Sequence, residues 1–172
     1  MILILLGQSI WFIASAYVTN AFPTVVKGQI PVDGGRTWSG RRILGDSKTV
    51  EGTFAGLVFG IFIGFLQVGL QPKMPAELNL PVLTMPVVIL LCTGTMFGDI
   101  VGSFIKRRLG INPGDPALLL DQLGFLIFAF IFASAATAID INIVILLIIL
   151  TPILHVLTNI FVYLLRLKEH PW

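Results

Sequence analysis

TFAGLVFGIFIGFLQVGL, residues 53–70, runs for eighteen residues without a charged side chain. About 20 apolar residues in a helix cross the roughly 30 Å of bilayer hydrocarbon, so this stretch predicts a membrane span. The helix is the form expected, because period-2 alternation is absent and backbone polar groups in lipid must be satisfied internally. Gly52, Gly56, Gly60 and Gly64 recur every four residues and give a smooth stripe where another helix can approach closely. The stripe can pack within one chain or between two, so the oligomeric state stays open at this point.

Outward from this segment, four more apolar stretches have the length of a span: residues 2–22, 82–98, 118–138 and 143–165. The expectation is an all-α integral membrane protein of one domain, with five transmembrane helices. Composition agrees: 56% of residues are hydrophobic and 12% charged, with a mean hydropathy of +0.95, whereas soluble domains are about a quarter charged. The single cysteine, Cys92, excludes a disulfide framework and a multi-thiolate metal site. The first apolar stretch lacks a basic leader and a small-x-small cleavage site, and is expected to be retained.

Basic residues set the expected orientation. Lys27, Arg36, Arg41, Arg42 and Lys48 lie in the connection 23–52. Lys106, Arg107 and Arg108 lie in 99–117, and Arg166 and Lys168 in the tail; only Lys73 falls on the other side. Five spans then put the N-terminus outside, the C-terminus in the cytoplasm, and both charged connections on the cytoplasmic face.

Residues 28–51 and 99–121 hold seven basic and six acidic side chains. A patch for the membrane surface would be basic alone. The mixture suits a ligand that is both anionic and metal-bound, since carboxylates hold magnesium while lysine and arginine hold phosphates. In GDIVGSFIKRRLG, residues 98–110, a helix running past Gly98 would place Asp99, Ser103 and Lys106 on one stripe, with Arg107 on its flank. Arg107 and Arg108 also suit a helix C-terminus; Asp99 does not. In NPGDPALLLDQ, Asp115-Pro116 reads as cap and first-turn proline. Asp121 then sits a turn or more into an apolar helix, where a carboxylate needs a partner or a cation.

The connection GRRILGDSKTVEG, residues 40–52, is not a P-loop, because Asp46 and Ser47 separate Gly45 from Lys48. Asp46 or Ser47 is expected to cap the second helix, with Lys48 and Thr49 in its first turn, forming an anion site. Asn20 is ambiguous between packing and the site. Thr151, His155 and Asn159 share a face of the fifth span, where interhelical hydrogen bonds are the commoner use of such residues.

These motifs resemble a known family. Lys48-Thr49-Val50-Glu51-Gly52 resembles the K-T-x-E-G element of the CDP-diacylglycerol synthases. Gly98-Asp99 with Ser103, Lys106 and Arg107 resembles their G-D-x-x-x-S-x-x-K-R signature. The whole chain is more similar to their archaeal branch, the CDP-archaeol synthases, whose first loop reads P-x-D-G-G-R-x-W-x-G-x-R-I-x-G-x-x-K-T, as residues 31–49 do here. The bacterial and eukaryotic pattern continues with a K-D pair and an H-G-G-x-x-D-R-x-D block; here Gly114, Asp115 and Asp121-Gln122 stand in that region without a histidine.

The resemblance implies a membrane cytidylyltransferase. CTP and 2,3-bis-O-(geranylgeranyl)-sn-glycerol 1-phosphate, or phosphatidic acid in the alternative, would give a CDP-linked lipid and diphosphate. Mg²⁺ is the implied cofactor and no nucleic acid is expected. Asp99 and Asp121 would hold the metal; Lys48, Lys106 and Arg107 would neutralise phosphates; Ser103 and Thr49 would donate hydrogen bonds or ligate metal. Asp46 and Glu51 would orient the lysines or bind a second cation, while Arg36, Arg41 and Arg42 would meet either the nucleotide or the lipid phosphate. The residues support this chemistry from their own side. A phosphate monoester, with a second pKa of about 6, is already a nucleophile at neutral pH, which fits the absence of histidine from both charged connections. A small transporter is the rival reading, but internal repeats and helices broken at mid-membrane are its usual marks and are not seen.

Overall fold

The computed structural model describes residues 2–26, 28–112, 115, 117 and 119–164, with the side chains of 158, 159, 161 and 162 outside that description. Lys27, Gly114, Pro116, Leu118, Leu165, Arg166 and Lys168 therefore lie outside the described residues, as does the side chain of Asn159.

Five helices follow one another: α1 (Ile2–Ala21), α2 (Val50–Leu70), α3 (Met85–Arg108), α4 (Leu120–Ala133) and α5 (Ile141–Leu164). The chain alternates direction between two ends. Leaving α1, it turns at one end through Phe22–Thr24 and a long connection into α2; at the other end, the short turns Gln71–Lys73 and Ala76–Leu78 lead to α3. Among the described residues three segments, Ile2–Thr24, Val50–Lys73 and Met85–Arg108, are long and apolar enough to cross a membrane, and Leu120–Ala133 and Ile141–Leu157 are shorter apolar helices.

The fourth expected span is shortened. Helix α4 covers 14 residues, about 21 Å at 1.5 Å per residue, where 118–138 was expected. It ends at Ala133, with Ser134 as its C-cap, after which Ala135 and Ala136 continue in turn bonds to the carbonyls three residues back. Helix α3 departs the other way. It starts at Met85, behind Thr84 and just ahead of Pro86, and runs past Gly98 to Arg108. The polar sequence 99–108 is thus helical, as the stripe of Asp99, Ser103 and Lys106 requires.

Glycines bring the helices together. A Cβ on Gly94 would meet the backbone of Phe128 and Ala129, and one on Gly98 the backbone of Gly124 and Phe125; Gly102 faces the Leu120 carbonyl oxygen. This antiparallel register sets Asp99 and Asp121 within about one helical turn of each other along the α3 axis. The α2 stripe packs within the chain: Gly56 lies against the Thr19 carbonyl oxygen and Met96, Gly60 against Ser15 and Thr19, Gly64 against Val88. The opposite face of α2 leaves Phe54, Phe62 and Phe65 exposed. The core gathers Phe12, Ile13, Val87, Leu91, Leu126, Ala129 and Leu147 from α1, α3, α4 and α5.

Among the described residues one hairpin stands apart from the helices. Strands β1 (Thr37–Trp38) and β2 (Arg41–Arg42) pair antiparallel, Thr37 opposite Arg42 and Trp38 opposite Arg41. Ser39 and Gly40 both have positive φ, 51° and 75°, the backbone of a tight two-residue hairpin. The all-α expectation missed it because the strands are two residues long, too short for any periodicity; Ser39-Gly40 was the only local signal.

Candidate active site

Charged residues from the two connections converge at one end of the bundle. Asp33 organises the first. Its Oδ1 accepts hydrogen bonds from Gly35 N and Arg42 Nη2, and its Oδ2 from Leu44 N and Gly45 N, at 2.9 to 3.3 Å. Burial alone would push this carboxyl up; the bonds from Leu44, Arg42, Gly45 and Gly35 outweigh it and hold the group well below the usual carboxylate range. Arg42 also holds Asp46, Nη1 to Oδ1 at 2.5 Å. Beyond the loop, Val32 N donates to Lys48 O, and Val50 N to Ile30 O, both at 2.8 Å. The chain therefore enters α2 on a fixed path.

The cap of α2 is Thr49, not Asp46 or Ser47. Thr49 is extended, and its Oγ1 accepts from Gly52 N at 3.2 Å. The expectation placed the helix start too early because three capping residue types, Asp46, Ser47 and Thr49, stand close together. Asp46 is committed to Arg42 instead. Glu51 accepts from Gln29 N and Ile30 N, so its carboxylate fastens the incoming chain.

Lys48 lies one residue before the cap, and its Nζ meets Asp99 Oδ2 of α3 at 2.5 Å. One stripe further along α3, Lys106 Nζ meets Asp121 Oδ1 of α4 at 2.6 Å. Asp121 is the second residue of α4, not a turn or more inside it. Its Oδ2 accepts from Ala117 N, and a carboxylate there is favoured by the helix dipole. The displacement arises because α4 starts at Leu120 and not directly behind Asp115. Asp115 instead closes a turn with Asn112, and Leu119, at a φ of 67°, precedes Leu120.

Ser103 is buried on α3. Arg107 is also buried, donates from Nη1 to Ile111 O, and has a buried Nε without a partner. Arg36 is exposed, and Arg41 donates to Arg108 O at 3.2 Å. Asn20, ambiguous from sequence, lines a cavity of about 380 Å³ together with Thr24, Ser47, Lys48, Thr49 and Asp99. In α5, Thr151 shares a hydrogen bond with Tyr17 of α1 at 2.7 Å, the interhelical use expected of it. The residue that sequence reasoning passed over is Asp33; its signal was a carboxylate immediately before two glycines.

Among the described residues no three His, Cys, Asp or Glu side chains surround one point. The described residues alone thus hold no all-protein metal cage. Magnesium, however, is commonly held by one or two carboxylates, with water and substrate phosphates completing its six positions. Asp99 and Asp121 fit that mode, each at present answered by one ammonium group.

Comparison with known proteins identifies the family. The family model described as CarS-like, CDP-archaeol synthase, matches residues 1–172. The CDP-archaeol synthase of Pyrococcus furiosus is 43% identical over 166 residues, covering 96% of this chain and 97% of that protein. The one from Methanococcus maripaludis is 42% identical, covering 99% of each. A solved structure, described as an intramembrane enzyme for archaeal membrane lipids biosynthesis, superposes with a TM-score of 0.76 at 35% identity, covering 88% of this chain and 92% of that one. The chain belongs to the CarS-like CDP-archaeol synthase family.

Proposed function

We propose that the charged end of the bundle is the catalytic centre of a CDP-archaeol synthase, transferring a cytidylyl group from CTP to 2,3-bis-O-(geranylgeranyl)-sn-glycerol 1-phosphate. The observation that carries this reading is the pair of ion pairs, Lys48–Asp99 and Lys106–Asp121, at the membrane-facing end of two charged connections. Each joins a phosphate-binding group to a metal-binding group. Ammonium and carboxylate shield one another until a ligand arrives that is both anionic and cation-bearing. On binding, the lysines would turn to phosphate oxygens, and Asp99 and Asp121 would be left free to hold a divalent cation.

The reaction is a displacement at phosphorus. An oxygen of the lipid phosphate bonds to the α-phosphorus of CTP, the bond from that phosphorus to the bridging oxygen breaks, and diphosphate leaves. Positioning and charge neutralisation dominate such transfers. Asp99 and Asp121 would hold Mg²⁺, which, when bound with the nucleotide, supplies charge neutralisation at the α-phosphate and the leaving diphosphate. Lys48, Lys106 and Arg107 add fixed positive charge, and the buried Arg107 Nε offers a donor not otherwise used. Ser103 contributes a hydroxyl on the same stripe of α3.

All five helices then cross the bilayer, α4 reaching across where its end turns extend it, and the catalytic end faces the cytoplasm where CTP is available. Incubating the purified protein in detergent with Mg²⁺, each of the four nucleoside triphosphates, and either the isoprenoid ether lipid phosphate or phosphatidic acid tests the reading. Diphosphate release is expected with CTP and the ether lipid together. Release without lipid, or equal release with all four nucleotides, would overturn it.

A further inference from the structure

The last turn of α3 carries three successive basic residues, and the fold sends them to three different places. Lys106 reaches Asp121 of α4, Arg107 reaches Ile111 O of the segment that follows, and Arg108 reaches back to the first connection. This follows from helical geometry, since neighbouring side chains leave the axis about 100° apart.

Arg108 makes more contacts with the first connection than a helix-end cation needs. Its Nη1 donates to Trp38 O at 2.7 Å; its Nη2 donates to Arg42 O at 2.7 Å and Arg41 O at 3.3 Å. All three acceptors belong to the β1–β2 hairpin. The guanidinium carbon lies 5.4 Å from the ring centres of both Trp38 and Phe104, and these two rings stack at 5.9 Å. Arg41 returns a bond to Arg108 O. Among the described residues Arg108 has no carboxylate partner within ion-pair distance, and its Nε is buried and unpaired. Its charge is thus spent on backbone carbonyls and aromatic faces, an arrangement that only a planar fork of donors can make.

The hairpin it holds leads directly to the catalytic lysine. Arg42, whose carbonyl Arg108 grips, extends its side chain to Asp33 and Asp46. Asp33 fixes Leu44 N and Gly45 N. Gly45 O then accepts from Lys48 N at 3.3 Å, and Lys48 reaches Asp99. We infer that Arg108 is a positioning residue: it latches the first connection onto the end of α3, so that Lys48 and Asp99, borne by separate parts of the chain, meet in one preformed nucleotide site. The inference rests on the proposed cytidylyl transfer for its kinetic consequence, though not for the latch itself.

Without the latch the connection spends part of its time away from α3, and apparent affinity falls by the fraction of molecules still closed. Once CTP is bound the site is assembled, and the chemical step proceeds as before. Arg108→Ala is therefore expected to raise KM for CTP about tenfold, the scale of losing charge-assisted hydrogen bonds, with kcat changed less than about threefold. Tryptic cleavage at Arg36, Arg41 and Arg42, measured without substrate, is expected to accelerate by a similar factor, and saturating CTP to slow it again. Arg108→Lys keeps the charge but cannot bridge three carbonyls, so it is expected to restore less than half of either loss.

A fall in kcat at unchanged KM would overturn the inference, because it would place Arg108 in the transition state or in bundle stability. Unchanged protease sensitivity would overturn it as well, and so would full rescue by lysine. Should Arg108→Ala fail to fold, Phe104→Leu removes one stacking face alone and is expected to move KM and cleavage in the same direction by a smaller factor; no change would count against the latch. The protease comparison of wild type and variant reads the latch even if the wild-type protein proves inactive with CTP, so the two failures are distinguishable.

Discussion

The two ends of the helix bundle differ in what their polar residues hold. At the end where α2 finishes and α3 begins, polar side chains serve nearby backbone. Gln8 Nε2 donates to Leu78 O and Asn79 O, Gln71 Oε1 accepts from Leu83 N, and Asp140 Oδ1 accepts from Asn142 N. At the other end lie all four ion pairs among the described residues, and two of them join different elements through side chains alone. Cavity size does not separate the ends: the space beside Gln8, Asn79 and Asp140 is about 450 Å³, larger than the 380 Å³ beside Lys48 and Asp99. What separates them is that only the charged end, beside its own backbone-bound side chains, also ties carboxylates to ammonium groups that a ligand can replace.

The sharpest way to break this contrast is to remove one carboxylate from each end. Asp99→Asn or Asp121→Asn should lower cytidylyl transfer by at least about 10²-fold, the scale of losing a group that stabilises transition-state charge. Asp140→Asn, at an exposed turn, should leave activity within about twofold. Steady-state rates in detergent, with gel filtration to establish that each variant is folded, make the comparison. Full activity in either site variant would remove that carboxylate from the mechanism, and a large loss in Asp140→Asn would erase the distinction between the ends.

How much of this was legible in the sequence depends on the range of the interaction. The stripe of Asp99, Ser103 and Lys106 is a local property of one helix, and its spacing announced it. The glycine stripe of α2 was equally plain, although only the fold could decide that it packs on α1 and α3. The pairings Lys48–Asp99 and Lys106–Asp121 join residues 51 and 15 positions apart, and their identity was suggested by residue type, not by any periodicity. Helix starts were read less well. Near residue 49 several good caps compete, and near residue 120 the start has no capping side chain, Leu119 standing where Ser or Asp would be expected. Arg108 looked like one more cation at a helix end because its partners are main-chain carbonyls, which carry no sequence signature. Asp33 was hidden because three of its partners are main-chain N–H groups, which carry no sequence signature either.

That hidden carboxylate gives the second test, because it makes the charged end's backbone depend on one buried group. Asp33→Ala leaves Leu44 N, Gly45 N and Arg42 short of partners, and leaving buried backbone donors unsatisfied costs about 1–3 kcal/mol. The pH dependence has a defined sign. A carboxyl held below its ordinary pKa contributes stability that is fully present above the unfolded value of about 4 and is lost as pH falls toward the lower folded value. Thermal unfolding of wild type and variant should therefore differ by a constant amount from pH 7 to about pH 4, and the gap should narrow at lower pH. A gap that widened on acidification would mean that Asp33 is neutral in the folded protein.

The smallest expected effects sharpen the contrast at the level of packing. A Cβ on Gly56, next to the charged end, would lie 2.6 Å from the Thr19 carbonyl oxygen and 2.8 Å from the Met96 methyl. Methionine can swing aside but the backbone of α1 cannot, so Gly56→Ala should destabilise the protein by about 1–3 kcal/mol, as overpacking does. Near the other end a Cβ on Gly7 or Gly69 would meet nothing within 4 Å. Both lie inside helices, where replacing glycine by alanine removes backbone freedom from the unfolded chain and gains about 0.5–1 kcal/mol. Gly7→Ala and Gly69→Ala should thus raise the melting temperature slightly while Gly56→Ala lowers it. Because Gly56 also packs near Pro23, where the first connection leaves α1, its substitution should lower activity together with stability, whereas the other two should leave activity unchanged. If all three behaved alike, close approach of α1 and α2 would not be what seats the first connection, and the charged end would owe its geometry to its ion pairs and loop bonds alone.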